Sequence, residues 1–342
     1  MSVLLGSGEL AALAAAGLWA CSSLFYGRTR LTAWQINFGK NVLASFVLCL
    51  HLAIVTTLAG RAMFSADSRT WMILAVSSVV GIVIGDTFYF RSLQILGPRR
   101  ALIVSTTSPL FASAIGWFGL AESPSVISLF GILLTLFGIA VVIAERSGTD
   151  ETPGHFPASL TRGIVMGLAG AVCNAGGATF SRLGTQGSQY FESTGCDPLE
   201  ATVIRVCVAA IASILTALAA RNLISTAQKS FHPTALKSYA PAVLCGPWLG
   251  IWMSQIAYKN SMLAIAITLT CTTPLFIMPL LRIFYGVRIS VRAVIGTSIA
   301  LVGVYLAVAG NSDRGPEPKS DSAGNQRQPE NVLRTDDIHQ AR

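Results

Sequence analysis

The chain has 342 residues, of which 52% are hydrophobic and only 12% charged. Soluble domains carry about 25% charged residues, so half that share, with a mean hydropathy of +0.61, excludes an ordinary cytosolic enzyme, a disordered chain and a disulfide scaffold. The net charge of +8 comes from basic residues scattered through short connections between apolar runs. They form no Lys/Arg cluster interleaved with aromatics, so no nucleic-acid partner is expected. Their expected partner is the lipid bilayer, where basic residues beside spans set topology and meet headgroups.

Apolar runs long enough to cross a bilayer predict ten spans, at about residues 8–27, 33–58, 70–92, 101–121, 125–144, 163–181, 199–220, 236–258, 263–285 and 291–310. The first lacks the preceding Lys or Arg of a secretory signal and is kept as a span. Spans one to five occupy residues 8–145 and spans six to ten residues 162–310. A polar linker with Pro153, Gly154 and Pro157 fills 146–161 between them. Residues 311–342 are rich in Asp, Glu, Arg, Gln and Pro, carry too little apolar surface to offset ordering entropy, and are expected to be a disordered tail. The expected class is an all-α integral membrane protein.

Six of the seven cysteines, Cys21, Cys49, Cys173, Cys207, Cys245 and Cys271, sit inside apolar runs, and only Cys196 lies in a loop. That arrangement offers no disulfide framework. No His/Cys cluster has metal-ligand spacing, so neither a metal nor a cofactor is expected. His51, the one histidine inside a span, reads as a packed or interfacial imidazole.

A shift of 165 residues lays the chain on itself. Gly81 falls on Gly246, Gly85 on Gly250, Pro109 on Pro274, Gly131 on Gly296, Gly138 on Gly303, and Lys40 on Arg205. The register runs without a gap from Lys40 to Ala144, and four of its eight glycines meet another glycine. Span one also aligns with span six, Arg28 with Arg182. Five crossings per copy is an odd number, so the second copy enters from the opposite side. Inverted five-helix repeats of this kind are the architecture of alternating-access carriers; the bland alternative is a duplicated inert bundle.

Pro109 and Pro274 fall near the middle of spans four and nine, where proline frees the carbonyl four residues earlier, here Ser105 and Thr270. Beside them stand the polar runs Ser105-Thr106-Thr107-Ser108 and Thr270-Cys271-Thr272-Thr273. Irregular backbone at membrane depth is tolerated where it lines a cavity or is buried in protein. The expected solute site therefore takes in Ser105, Thr106, Pro109, Thr270, Thr272 and Pro274, against the alternative of packing kinks satisfied by their own hydroxyls. Lys40 and Arg205, about two turns inside spans two and seven, either snorkel to the interface or line the cavity, binding an anionic group or partnering an acid. Asp86 is the only acid well inside a span. An ionised side chain there costs about 2.5–3.5 kcal/mol on insertion scales, so it must find a partner or hold a proton, and it is the expected proton-coupling carboxyl. Its counterpart is Ile251, which makes the acid asymmetric. Arg91 should reach the interface. Asn37, Asn174, Trp19, Trp34 and Trp248 are lesser candidates, the tryptophans competing with a place in the aromatic belts. Gly81–Gly85 and Gly246–Gly250 are both GxxxG, a packing motif without the strand context of a phosphate loop.

The Pro-centred segments resemble the drug/metabolite transporter superfamily, specifically tandem EamA-like domains. The resemblance rests on Ser105-Thr-Thr-Ser-Pro109-Leu-Phe through Glu122, Gly131 to Gly138, Thr272-Thr-Pro274-Leu-Phe, and Gly296 to Gly303. Three departures stand out: Glu122 is matched by Val287 in the second copy, Lys40 stands where such domains often carry arginine, and Asp86 is not a general family feature. The resemblance implies a secondary transporter of a small organic metabolite, amino acids among them, exporting or exchanging with protons, in the inner or plasma membrane with cytoplasmic termini. Counting Lys and Arg in the short loops puts the termini outside instead. The partners expected are a small-molecule solute and protons. A lipid flippase or scramblase is the alternative function. A membrane enzyme is disfavoured because no HExxH, GxSxG or paired intramembrane acids occur.

Overall fold

The computed structural model describes residues 6–26, 31–96, 101, 104–120, 124–143, 157–285 and 291–312. The tail beyond Ser312 and most of the linker lie outside the described residues, as do Arg28, Glu122 and Val287. The described residues are helical apart from short connections and one isolated bridge, Ser188 to Ser193.

In chain order the helices are α1 (Ser7–Tyr26), α2 (Ala33–Leu58), α3 (Ser68–Ser78), α4 (Asp86–Leu96), α5 (Ser108–Gly119), α6 (Val126–Ile143), α7 (Pro157–Gln186), α8 (Pro198–Ala219), α9 (Leu223–Ser230), α10 (Pro233–Val243), α11 (Ile251–Asn260), α12 (Leu263–Thr270), α13 (Thr273–Tyr285) and α14 (Val291–Ser312). Their starts follow local chemistry. Thr32 and Gln35 form a capping box on α2, the Gln35 amide donating to the Thr32 hydroxyl and the Thr32 amide to the Gln35 side chain. Asp67 and Asp197 cap α3 and α8 with their carboxylates. Helix α7 begins at Pro157, six residues before the predicted start, because proline needs no amide partner in the first turn of a helix. The short helix α9 was not anticipated.

Among the described residues, seven helical stretches are long and apolar enough to cross a membrane: Ser7–Tyr26, Trp34–Leu58, Ser68–Tyr89, Thr161–Gln186, Pro198–Ala219, Leu263–Phe284 and Val291–Gly310. Val126–Val141 is a shorter apolar helix. Large apolar side chains such as Phe46, Leu133, Phe137, Leu215 and Ile295 are exposed along these helices, the surface expected of a multi-pass integral membrane protein whose outer solvent is lipid.

Helices α6 and α14 pack against each other through glycines. A Cβ on Gly131 would stand 2.7 Å from the Gly303 carbonyl oxygen, and one on Gly138 would stand 2.6 Å from that of Gly296. As one residue number rises the other falls, so the helices run antiparallel. Gly131 is the repeat equivalent of Gly296 and Gly138 that of Gly303, so the contact is self-complementary, as a two-fold axis requires. Equivalent helices pointing in opposite directions make the two copies inverted.

The copies also interlock. Gly246 packs on Ser22 as Gly81 packs on Gly177, and Gly250 on Trp19 as Gly85 on Cys173.

Two departures from plain α-helix recur in both copies. Val79–Gly85 joins α3 to α4, and Leu244–Gly250 joins α10 to α11, each as seven residues of π-helix related by the 165-residue shift. Both GxxxG motifs lie inside them, so the glycines do more than let helices approach: they permit a widened turn, aided in the second copy by Pro247. The second departure is the break ahead of each central proline, at Thr106-Thr107 and at Cys271-Thr272. Every residue of Leu263–Leu269 is buried, so the second break is embedded in protein, where irregular backbone is tolerated.

Candidate solute site

The first π segment delivers Asp86 to the start of α4, and the residue meets a cation there. Lys40 Nζ of α2 donates to Asp86 Oδ2 at 2.8 Å, with side-chain exposures of 9% and 30%. A buried charge persists only when paired and hydrogen-bonded, and this pair supplies both. Lys40 therefore does not snorkel; it points inward and partners the acid. Tyr26 and Tyr89 stand within electrostatic reach of the same carboxylate. Arg91 is exposed on the far side of α4.

Arg205, the repeat equivalent of Lys40, is 6% exposed on α8. Its guanidinium lies over the glycine of the first π segment, where a Cβ on Gly81 would come within 3.3 Å of Nη2. Its backbone carbonyl accepts from Ser78 Oγ at 2.6 Å. Its Nε has no hydrogen-bond partner among the described residues. Ile251 occupies the position where a second acid would answer it. Asp86 and Tyr258 stand within electrostatic reach of it, and Tyr258 is in similar reach of Cys271 at the second helix break.

A buried polar seam continues from this cluster. Asn41 Nδ2 donates to Ser213 Oγ at 3.1 Å and to Asn37 Oδ1 at 3.4 Å, joining α2 to α8. Gln255, one turn before Tyr258 on α11, is wholly buried and accepts from Ser181 Oγ, while its Nε2 has no partner among the described residues.

At the helix breaks the hydroxyls turn back on their own chain. Thr272 Oγ1 donates to Leu269 O at 2.6 Å and Thr270 Oγ1 to Ala266 O at 2.9 Å. The carbonyl of Thr270, freed by Pro274, accepts from Thr273 Oγ1 at 2.8 Å. In the first copy Thr107 Oγ1 donates to Val104 O at 2.7 Å. Thr106, Pro109 and Pro274 are buried, and Ser105 is half-buried. Among the lesser candidates, Trp19 packs on the second π segment and Trp248 Nε1 donates to His51 Nδ1 at 3.2 Å. Trp252 sits edge-on to the same imidazole at a centroid distance of 4.9 Å. His51 is thus packed between two indoles. Asn37 is buried, Trp34 half-buried and Asn174 exposed.

Glu200 escaped the sequence. It is 3% exposed in the first turn of α8, and its carboxylate accepts from the Ser65 amide at 2.8 Å, the Ser65 hydroxyl at 2.7 Å and the Ala66 amide at 2.8 Å. The equivalent positions also touch in the other copy, but through backbone: Ser230 Oγ donates to the main-chain carbonyl of Gln35 at 3.0 Å. The 165-residue register, which lays Gln35 on Glu200 and Ser65 on Ser230, held the only trace of it. Gln255 left no comparable trace, being one polar residue in an otherwise apolar run.

An inverted pair of helical repeats, apolar on its outer surface and holding an ion pair between helices, is the build of a multi-pass membrane protein. The model of the EamA-like transporter family matches residues 6–144 and 161–309. The chain belongs to that family, and so to membrane transporters of small solutes. A solved crystal structure superposes on 90% of this chain and 99% of its own length, with a TM-score of 0.69 and 17% sequence identity, a likeness of fold. No curated protein matches the chain.

Proposed function

We propose that this protein is a secondary carrier that moves a small polar or amphipathic organic solute across the inner or plasma membrane by alternating access, with cytoplasmic termini. The observation that carries the proposal is the Lys40–Asp86 pair, half-buried where the first π segment ends. Inverted repeats exchange conformations by rocking about a central site, and the antiparallel glycine contact of α6 and α14 gives the halves a common pivot. Asp86 is the coupling carboxyl. Protonation removes the charge that holds Lys40, so proton binding and opening of the site are linked. Thr106, Thr272 and the two prolines shape the wall of the path; Lys40 and Arg205 supply its charge.

The test is flux in proteoliposomes under an imposed pH gradient. Wild-type protein should drive solute movement that follows the gradient. Asp86→Asn should fold and insert yet lose that dependence. A full pH response in Asp86→Asn vesicles overturns the coupling role. Redistribution of fluorescent lipid without solute movement in the same vesicles overturns the carrier reading in favour of a lipid flippase or scramblase.

A further inference from the structure

At the first π segment two cations meet one acid, because the buried Glu200 carboxylate is committed to the Ser65–Ala66 turn. Lys40 and Asp86 neutralise each other at 2.8 Å, which leaves Arg205 as a second buried cation with Ile251 where its acid would stand. Arginine has five donors and no acceptor, and a guanidinium stays charged when buried. An unpaired buried ion is among the most costly features a membrane interior can hold. Arg205 Nε nevertheless has no partner among the described residues, and neither does Gln255 Nε2. Tyr258 lies one turn from Gln255 on α11 and within electrostatic reach of Arg205. The first π segment presents Gly81 to the guanidinium, so the backbone adds no side chain to cover it.

We infer that the solute carries an anionic group of carboxylate-like chemistry, which is held by Arg205 with Gln255 as a second donor while Lys40 remains committed to Asp86. This rests on the carrier reading above and narrows its substrate class. The asymmetry is what selects an anion. With an acid at residue 251 both copies would be self-neutralised and the site would favour neutral solutes; with Ile251 one positive charge is left for the cargo. Charge-assisted donors arranged as a planar fork suit a carboxylate better than a neutral carbonyl.

The experiment uses full-length protein in phosphatidylcholine vesicles and a defined equimolar mixture of isotopically labelled monocarboxylates, their primary amides, amines and polyols. Wild-type vesicles should accumulate the carboxylates over the other classes, relative to protein-free vesicles. Arg205→Gln should lose that preference by about ten- to hundredfold, the value of a charged hydrogen-bond partner, and Arg205→Lys should recover part of it. Uptake of amides, amines or polyols at the carboxylate rate by wild-type protein overturns the inference and leaves the carrier reading standing; this comparison needs no variant to fold. A carboxylate preference that survives in Arg205→Gln also overturns it. Loss of uptake on adding phosphatidylglycerol would assign the guanidinium to an anionic headgroup and overturn it too. If no class moves above protein-free vesicles, the carrier reading fails and this inference falls with it.

Discussion

Gly131 and Gly303 press backbone against backbone: a Cβ on either would stand 2.7 Å from the carbonyl oxygen of the other. The pseudo-two-fold axis carries this contact onto that of Gly296 with Gly138. It also explains why the glycines of α6 and α14 share a register across 165 residues. Each packs on the repeat equivalent of the other glycine in its own helix.

Replacing Gly131 with alanine should therefore destabilise the protein. The added methyl would sit 2.3 Å from the Ala307 amide nitrogen, and backbone cannot rotate away as a side chain can. Overpacking of this kind costs about 1–3 kcal/mol. Gly119→Ala is the control, because its nearest neighbour would be Ile115 Cγ2 at 3.9 Å. Thermal unfolding of the two purified variants in one detergent should separate them, with Gly131→Ala melting lower and Gly119→Ala close to wild type.

The buried Glu200 carboxylate holds the Ser65–Ala66 turn by three hydrogen bonds, and its place in the first turn of α8 adds a favourable helix-end field. Glu200→Gln retains shape but gives up the charge that strengthens all three, and one amide nitrogen then faces a donor. The expected loss is about 2 kcal/mol, the scale of hydrogen bonds to a charged group. Amide hydrogen exchange at Ser65 and Ala66 should rise in the same variant. Unchanged exchange there would show that the turn is held by something other than the carboxylate.

How much of this was readable beforehand depends on the kind of signal. Hydropathy and glycine spacing marked the helices and the duplication, since both recur over many residues. Pro109 and Pro274 marked the breaks, because proline removes a backbone donor wherever it stands. The π segments were hidden, since Gly81–Gly85 and Gly246–Gly250 fit close helix packing equally well and nothing in the spacing distinguishes a widened turn. Lys40 and Asp86 were each visible as polar residues in apolar runs, but their pairing depends on how α2 crosses the first π segment. Arg205 looked like the twin of Lys40; that it lacks an acid follows from Ile251 only once the pair in the first copy is known.

Asp67 gives the fold a pH dependence of known sign. The Thr70 hydroxyl and amide, with help from Thr194, hold its carboxyl below the usual carboxylate range. A group more acidic in the folded than in the unfolded chain contributes fully above its unfolded pKa, about 3.9. That contribution fades as pH falls through the lower folded value. Asn caps helices about as well as Asp and does not titrate. Asp67→Asn should therefore flatten the part of the acid-side drop in unfolding temperature that belongs to this carboxyl. The comparison is the melting temperature of variant and wild type from pH 6 down to pH 3, and parallel curves would deny Asp67 any share.

The Ser65 and Ser230 contacts also fix which loops share a side of the membrane. Glu200 at the start of α8 touches Ser65, so the turn after α2 and the entry to α8 lie together; Ser230 after α8 touches Gln35 at the entry to α2, so these lie together on the other side. Cysteines placed at the exposed positions Arg61 and Ser225 should then react with an impermeant maleimide from opposite faces of oriented vesicles. The native loop cysteine will not confuse the result: Cys196 is buried, and burial pushes its thiol up to about 12, leaving little thiolate at neutral pH. Whichever of the two sites labels in intact cells assigns the outer face, and with it the side of the termini, where family resemblance and the distribution of basic residues disagree. Labelling of both from one face would mean that the copies insert the same way up, which the antiparallel contact of α6 and α14 forbids.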